Sequence, residues 1–266
     1  WKDLREPLER AMSLEKIERI CLQVVESPGA TKEAIELLRR IRDVSPAFPI
    51  SVCVTPSSVS RVGLFFSKGA STVGLPVDAA AKSVYGDVKG DEYERTWSVI
   101  ERASKKWPGR ISTHFVAGLG ETEEDIAKSI ARSKQLGLTV AMFAFTPVRG
   151  TQMQNVQPPP IPVYRRIQLA AYILSNGGCI DDFMFRDGKI VDVRNLSKKL
   201  ISDIAAGLPF QTSGCPGCNR PYYNERPGKA HMNYPRPLTR VEAEQCLSES
   251  GLCLSAALVG RKSSEG

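Results

Sequence analysis

The feature that most constrains this chain is an alternation, repeated five times between residues 17 and 178, of a short apolar run and a longer stretch with apolar residues at helical spacing. "IERICLQVV" (17–25) reads as a strand and "TKEAIELLRRIRDVSP" (31–46) as its helix; "PISVCVTP" (49–56) is followed by the helical "SSVSRVGLFFSKGA" (57–70). "STVGLPVD" (71–78) precedes the helix "DEYERTWSVIERASKKWPG" (91–109), closed by Pro108 and Gly109. "RISTHFVAGLG" (110–120) and "TVAMFAFTP" (139–147) complete the strands, with helices at 122–137 and 162–178. Units of roughly 30 residues argue for parallel strands joined by crossover helices. The strands read as continuous apolar runs, as expected when both faces are covered. A partial or complete parallel β/α barrel is the natural closure, and an open doubly wound sheet is the rival. Both put function at the C-terminal strand ends, here Glu26 and Ser27, Thr55 and Pro56, Val77 and Asp78, residues 118–120, and residues 146–150.

After residue 180 the texture changes. "FMFRDGKIVDV" reads as a β-hairpin turning at Asp187 and Gly188, followed by a short helix near 197–206 and a helix started by Thr239 with Glu242 three residues on. The expected organisation is a β/α core over 1–180 and a C-terminal extension over 181–266. With 42% hydrophobic and 24% charged residues, the chain can bury a sizeable core. Its net charge of +7 favours acidic partners. Lys and Arg are spread out, with no basic run interleaved with aromatics, so nucleic acid is a poor reading. The apolar runs are too short for a membrane span, and no secretory signal opens the sequence. Seven cysteines, an odd and scattered set, speak against a disulfide framework and for a reducing cytoplasm. The chain starts at Trp1, directly in a helical pattern, so a preceding segment is expected.

Several residues could carry chemistry. In "GLGETEEDI" the glycines let the backbone approach a ligand, while Thr122 and Asp125 can cap the next helix; an ordinary tight turn explains the stretch equally well. Asp78 can accept hydrogen bonds from two ribose hydroxyls or serve as a helix N-cap. His114 lies within a strand, facing a barrel interior or hydrogen-bonded in the core, and His231 sits in a proline-rich stretch. Neither Gly-x-Ser-x-Gly nor His-Glu-x-x-His occurs, which leaves a hydrolase little support. In "TSGCPGCNRPYYNERP" (212–227), Pro216 and Gly217 give the tight turn that aims Cys215 and Cys218 at one metal. A metal or iron–sulfur cluster ranks above a redox dithiol, and the spacing does not separate zinc from iron. Tyr222, Glu225 and the candidate substrate contacts Arg220, Tyr223, Asn224 and Arg226 suggest a site wall; the plainer alternative is a proline-stiffened surface loop.

Together, "GLPVDAA", "HFVAGLGETEEDI" and "FAFTPVRGTQM", each following a strand, resemble the radical S-adenosylmethionine (SAM) enzymes near biotin synthase. "PFQTSGCPGCNRPYYNERPGKAHMNYPRPLT" is similar to biotin-synthase-like proteins that act as split, mainly archaeal, lipoyl synthases. The resemblance spans roughly residues 17–245. It implies a β/α barrel with SAM at the C-terminal strand ends, Asp78 on the ribose, Gly118, Gly120 and Glu121 along the methionine and adenine side, and Val148 near the adenine. It implies that Cys215 and Cys218 hold an auxiliary [4Fe–4S] cluster that donates sulfur. The third ligand would come from Cys179, Cys246 or a preceding segment, with Ser213 as a candidate oxygen ligand. The implied reaction is hydrogen abstraction by a 5′-deoxyadenosyl radical from an octanoyl chain on a carrier lysine, then sulfur insertion. The implied partners are an acidic lipoyl carrier domain and a second radical SAM protein. The family holds its SAM-cleaving [4Fe–4S] cluster with Cys-x3-Cys-x2-Cys, which is not found in these 266 residues, so these residues alone are expected to be inactive. The alternatives are biotin-type sulfur insertion, methylation, or a noncatalytic scaffold with a structural zinc knuckle.

Overall fold

The structure is a computed structural model that describes residues 2–13, 17–218 and 231–253. Five strands, β1 (Ile20–Gln23), β2 (Ile50–Cys53), β3 (Thr72–Gly74), β4 (Ile111–Ala117) and β5 (Thr139–Ala144), form one parallel sheet in chain order. The strand order never reverses, so the sheet has no topological switch point of the doubly wound kind. Each strand adds to the same edge, and the sheet curls into a half-barrel with helices outside. Helix α1 (Lys2–Ser13) comes first; α2 (Ala30–Val44) and α3 (Val59–Ser67) follow β1 and β2. Two helices, α4 (Lys82–Lys89) and α5 (Tyr93–Lys106), lie between β3 and β4, and α6 (Glu123–Gln135) and α7 (Ile161–Ser175) follow β4 and β5. The core between sheet and helices includes Leu38, Ile41, Val52, Phe65, Val73, Phe115, Ile126 and Ile130, all at most 2% exposed.

One expectation about the strands is corrected. In β4 and β5 buried and half-buried residues alternate: Ile111, Thr113, Phe115 and Ala117 are covered, while Ser112, His114 and Val116 are not. Only the convex face is packed under helices; the concave face of the unclosed barrel looks into a cavity. Strand β2 is buried along its whole length. Helix α4 is absent from the reading of the sequence, because Gly86, Val84 and Val88 weaken its helical signal.

The C-terminal residues pack closely on this half-barrel. A hairpin of β6 (Phe183–Arg186) and β7 (Lys189–Val193) turns at Asp187 and Gly188, both with positive φ, as a tight two-residue turn demands. It is followed by α8 (Lys198–Ala205) and α9 (Arg240–Ser250), the latter opened by a Thr239–Glu242 capping box. A buried ion pair sits where these parts meet. Glu123 on α6 receives the Arg166 guanidinium of α7 at 2.6 Å and the Ile190 backbone N–H of β7 at 2.9 Å. Arg166 also donates to the Ser250 carbonyl of α9 at 2.8 Å. The described helices include none long and apolar enough to cross a membrane.

Candidate functional site

The concave face of the sheet lines a cavity of about 860 Å³, bordered by β1 to β5 on one side and by Gly214, Cys215, Gly217, Cys218 and Pro235 on the other. Its inner row follows from strand register. Cys21 pairs with Ser51, Gln23 with Cys53, Cys53 with Gly74, and His114 with Ala141, so these side chains share one face.

At the C-terminal end of the sheet stands Asp78. Its N–H donates to the His114 carbonyl at 3.0 Å and its carbonyl accepts from Val116 N–H at 2.8 Å, so it continues the ladder along β4 beyond β3. Its φ of 64° is one that Asp tolerates better than most residues. The His114 imidazole Nε2 lies 2.7 Å from Oδ1, and the Lys89 ammonium lies 2.5 Å from Oδ2. Burial pushes this carboxyl up, but the hydrogen bonds and charges of His114 and Lys89 together prevail and bring it down to about 2. The N-cap alternative fails: α4 begins after Ala81, without a side-chain cap. His114 lines the cavity edge-on to Phe143, 4.8 Å between ring centres, and so links the cavity to Asp78.

The turn after β4 adjoins this cluster. Gly118 has φ 100°, and a Cβ there would come within 2.8 Å of Pro159. Its N–H donates to Glu121 Oε1 at 3.3 Å, whereas Glu121 Oε2 is buried with no hydrogen-bond partner. Burial raises the Glu121 carboxyl, against the pull of the backbone N–H groups of Glu121, Gly118 and Leu119. An orphaned buried acceptor beside a glycine cradle fits a ligand bearing hydroxyl or amine donors. Gly120, with φ 128°, lies beside Val84 of α4. Thr122 and Asp125 form the capping box of α6. Val148 is 58% exposed on the loop after β5.

The cysteine knuckle lies at the other end of the cavity, toward the N-terminal strand ends rather than the C-terminal ends where function was expected. The Cys218 N–H donates to the Cys215 carbonyl at 3.0 Å, closing the turn over Pro216 and Gly217. Gly217, at φ 78°, has room for no Cβ: one would meet Glu18 Oε2 at 2.6 Å. Arg19, just ahead of β1, donates to the Pro216 carbonyl at 3.0 Å and to Ser51 Oγ at 3.1 Å; Ser51 Oγ is 3.5 Å from Cys215 Sγ. Two inner-row thiols, Cys21 and Cys53, border the same cavity. Burial pushes both upward, Cys53 to about 12. The further ligands expected from the sequence are elsewhere. Cys179 is exposed ahead of β6, Cys246 is buried in α9, and neither lines the cavity. Ser213 Oγ is engaged by the Met142 N–H at 2.9 Å. His231 lies in the extension, its carbonyl held by Arg165 at 2.7 Å. Arg220, Tyr223, Asn224 and Arg226 lie outside the described residues.

The sequence reading missed Cys21, Cys53, Arg19, Ser51 and Lys89. The period-two pattern of "ICLQ" and "ISVC" puts Cys21 with Gln23 and Ser51 with Cys53 on shared faces, which was the signal available. Among the described residues, no three His, Cys, Asp or Glu side chains are grouped to hold a single metal ion. A donor set of thiols spread around a roomy cavity suits a multinuclear cluster better than one zinc ion.

No known protein-family model matches the chain. Over 158 residues it is 26% identical to the biotin synthase of Persephonella marina, covering 58% of this chain and 46% of that protein. Its fold is similar to that of HydG, a maturase of the [FeFe]-hydrogenase, with TM-score 0.54 and 11% identity over 97% of this chain and 59% of the other. HydG from Carboxydothermus hydrogenoformans gives 0.51 and 16%, over 92% and 57%. The chain thus spans about half the length of the relatives it matches. The architecture is the curled partial β/α barrel of radical SAM enzymes, and the likeness to biotin synthase supports that superfamily.

Proposed function

We propose that the chain takes part in radical SAM sulfur insertion into a carrier-bound octanoyl chain, as lipoyl synthases do. The observation that carries this reading is the two-ended cavity. The Cys215 and Cys218 knuckle is at one end, and His114 leads to Asp78 and the glycine turn at the other. When bound, SAM and the clusters supply a 5′-deoxyadenosyl radical and a source of sulfur. This chain's residues hold and orient the reactants. Asp78, kept ionised by His114 and Lys89, offers its remaining lone pairs to ribose hydroxyls. Glu121 Oε2 accepts from a donor on the methionine or adenine side, and Val148, exposed on the loop after β5, flanks the adenine. Ala141 and Phe143 give an extended alkyl chain an apolar wall between the two ends.

The residues that would hold the SAM-cleaving cluster are not among these 266, which contain no Cys-x3-Cys-x2-Cys. The net charge of +7 suits an acidic lipoyl carrier domain, and a second radical SAM protein would share the task. Biotin-type sulfur insertion is the second reading, favoured by the sequence likeness to biotin synthase.

The test begins with anaerobic reconstitution followed by iron, sulfide and zinc analysis. About four irons per chain, lost in the Cys215→Ala/Cys218→Ala variant, is the expected result. Zinc alone would replace this reading with a structural knuckle. The two sulfur-insertion readings then separate by binding: an octanoylated carrier domain against the desthio precursor of biotin, each titrated into the loaded chain.

A further inference from the structure

We propose that Cys21 and Cys53 complete a four-thiolate cluster site with Cys215 and Cys218, so that the cluster joins the sheet to the C-terminal knuckle. The inference rests on the reading above that the knuckle holds a cluster, and it deepens that reading by naming the other two ligands.

The geometry is set by the parallel register. Cys21 stands beside Ser51 on the neighbouring strand, and Cys53 lies two residues farther along β2, on the same concave face. Cys215 Sγ lies 3.5 Å from Ser51 Oγ, so the knuckle reaches the sheet at the residue next to Cys21 and two before Cys53. The thiols of Cys21, Cys53, Cys215 and Cys218 border the same cavity. Space is kept open beside them. Gly74 is the register partner of Cys53, and a Cβ there would come within 3.3 Å of Cys53 Sγ. Gly214 does the same beside Cys218, whose Sγ would lie 3.6 Å from an added Cβ.

The surroundings suit a negatively charged cluster. The Arg19 guanidinium lines the cavity and donates to both the knuckle and Ser51. Gln23 Nε2 donates to Cys21 Sγ at 2.9 Å. Hydrogen bonds to ligating sulfurs are a recognised means of holding a cluster and setting its potential. On loading, each ligating thiol gives its proton to solvent and its sulfur to iron.

The experiment compares three double variants of the 266-residue chain after anaerobic reconstitution: Cys21→Ser/Cys53→Ala, Cys215→Ala/Cys218→Ala, and Cys179→Ser/Cys246→Ala. Iron content and the electron paramagnetic resonance spectrum after reduction are the readouts, and circular dichroism checks folding before loading. The expected result is loss of about four irons in the first two variants and retention in the third. Iron kept in the first but lost in the second would overturn the donor set and leave the cluster itself standing. Iron kept in both would overturn the cluster reading as well. A measurement that needs no variant runs alongside: alkylation of native chain, read by mass spectrometry. Loading should protect Cys21, Cys215 and Cys218 while Cys179 stays reactive; unchanged labelling of Cys21 on loading would overturn the proposal.

Discussion

At the scale of single residues, Asp78 meets three demands at once. Its backbone extends the sheet at a positive φ, and its carboxylate is held between Lys89 and His114. Asn tolerates the same φ, so Asp78→Asn removes the charge without adding backbone strain. The carboxyl is depressed from 3.8 to about 2, so its contribution is full above the unfolded value and vanishes as the pH falls through about 2. Asp78→Asn should therefore cost about 2 kcal/mol near neutral pH, with the gap to wild type closing between about pH 4 and pH 2. Urea titrations across that range check this; a constant gap would contradict it. Asp78 stood out in the sequence because it ends a strand. Its partners did not, since Lys89 belongs to the unforeseen α4 and the contact with His114 depends on how β3 and β4 align.

At the scale of elements, two glycines predict opposite outcomes. Gly118 combines φ 100° with a close approach to Pro159, so Gly118→Ala should destabilise by about 1–3 kcal/mol. Gly86 lies inside α4 with nothing within 4 Å of an added Cβ, so Gly86→Ala should stabilise by about 0.5–1 kcal/mol. Thermal melts of the two variants decide both. Removing one side of the buried Glu123–Arg166 pair, as in Arg166→Ala, should cost about 3–5 kcal/mol, because it leaves Glu123 buried among α6, α7 and β7 without its ion-pair partner. The βα units, the hairpin turn and both capping boxes were legible because each is written locally in spacing and turn chemistry. Glu123 was not, since its importance arises from residues 43 and 67 positions away.

At the scale of the whole molecule, a cluster held by both sheet and knuckle would bind only the folded chain. Reconstitution should then raise the melting temperature by several degrees, an effect lost together with the iron in the Cys21→Ser/Cys53→Ala variant. An unchanged melting temperature in an iron-loaded sample would contradict a bridging role. The barrel class was legible in the sequence and the cavity was not, because the inner row emerges only when five strands take their register. That row has a consequence for how such a protein diversifies. In β4 and β5, the residues that hold the fold and those that face the cavity occupy alternate positions. A lineage, or a protein engineer, can therefore rewrite Ser112, Ala141 or Phe143 to fit a different cargo while leaving the neighbouring packed residues untouched, so specificity and foldability evolve along separate tracks of the same strand.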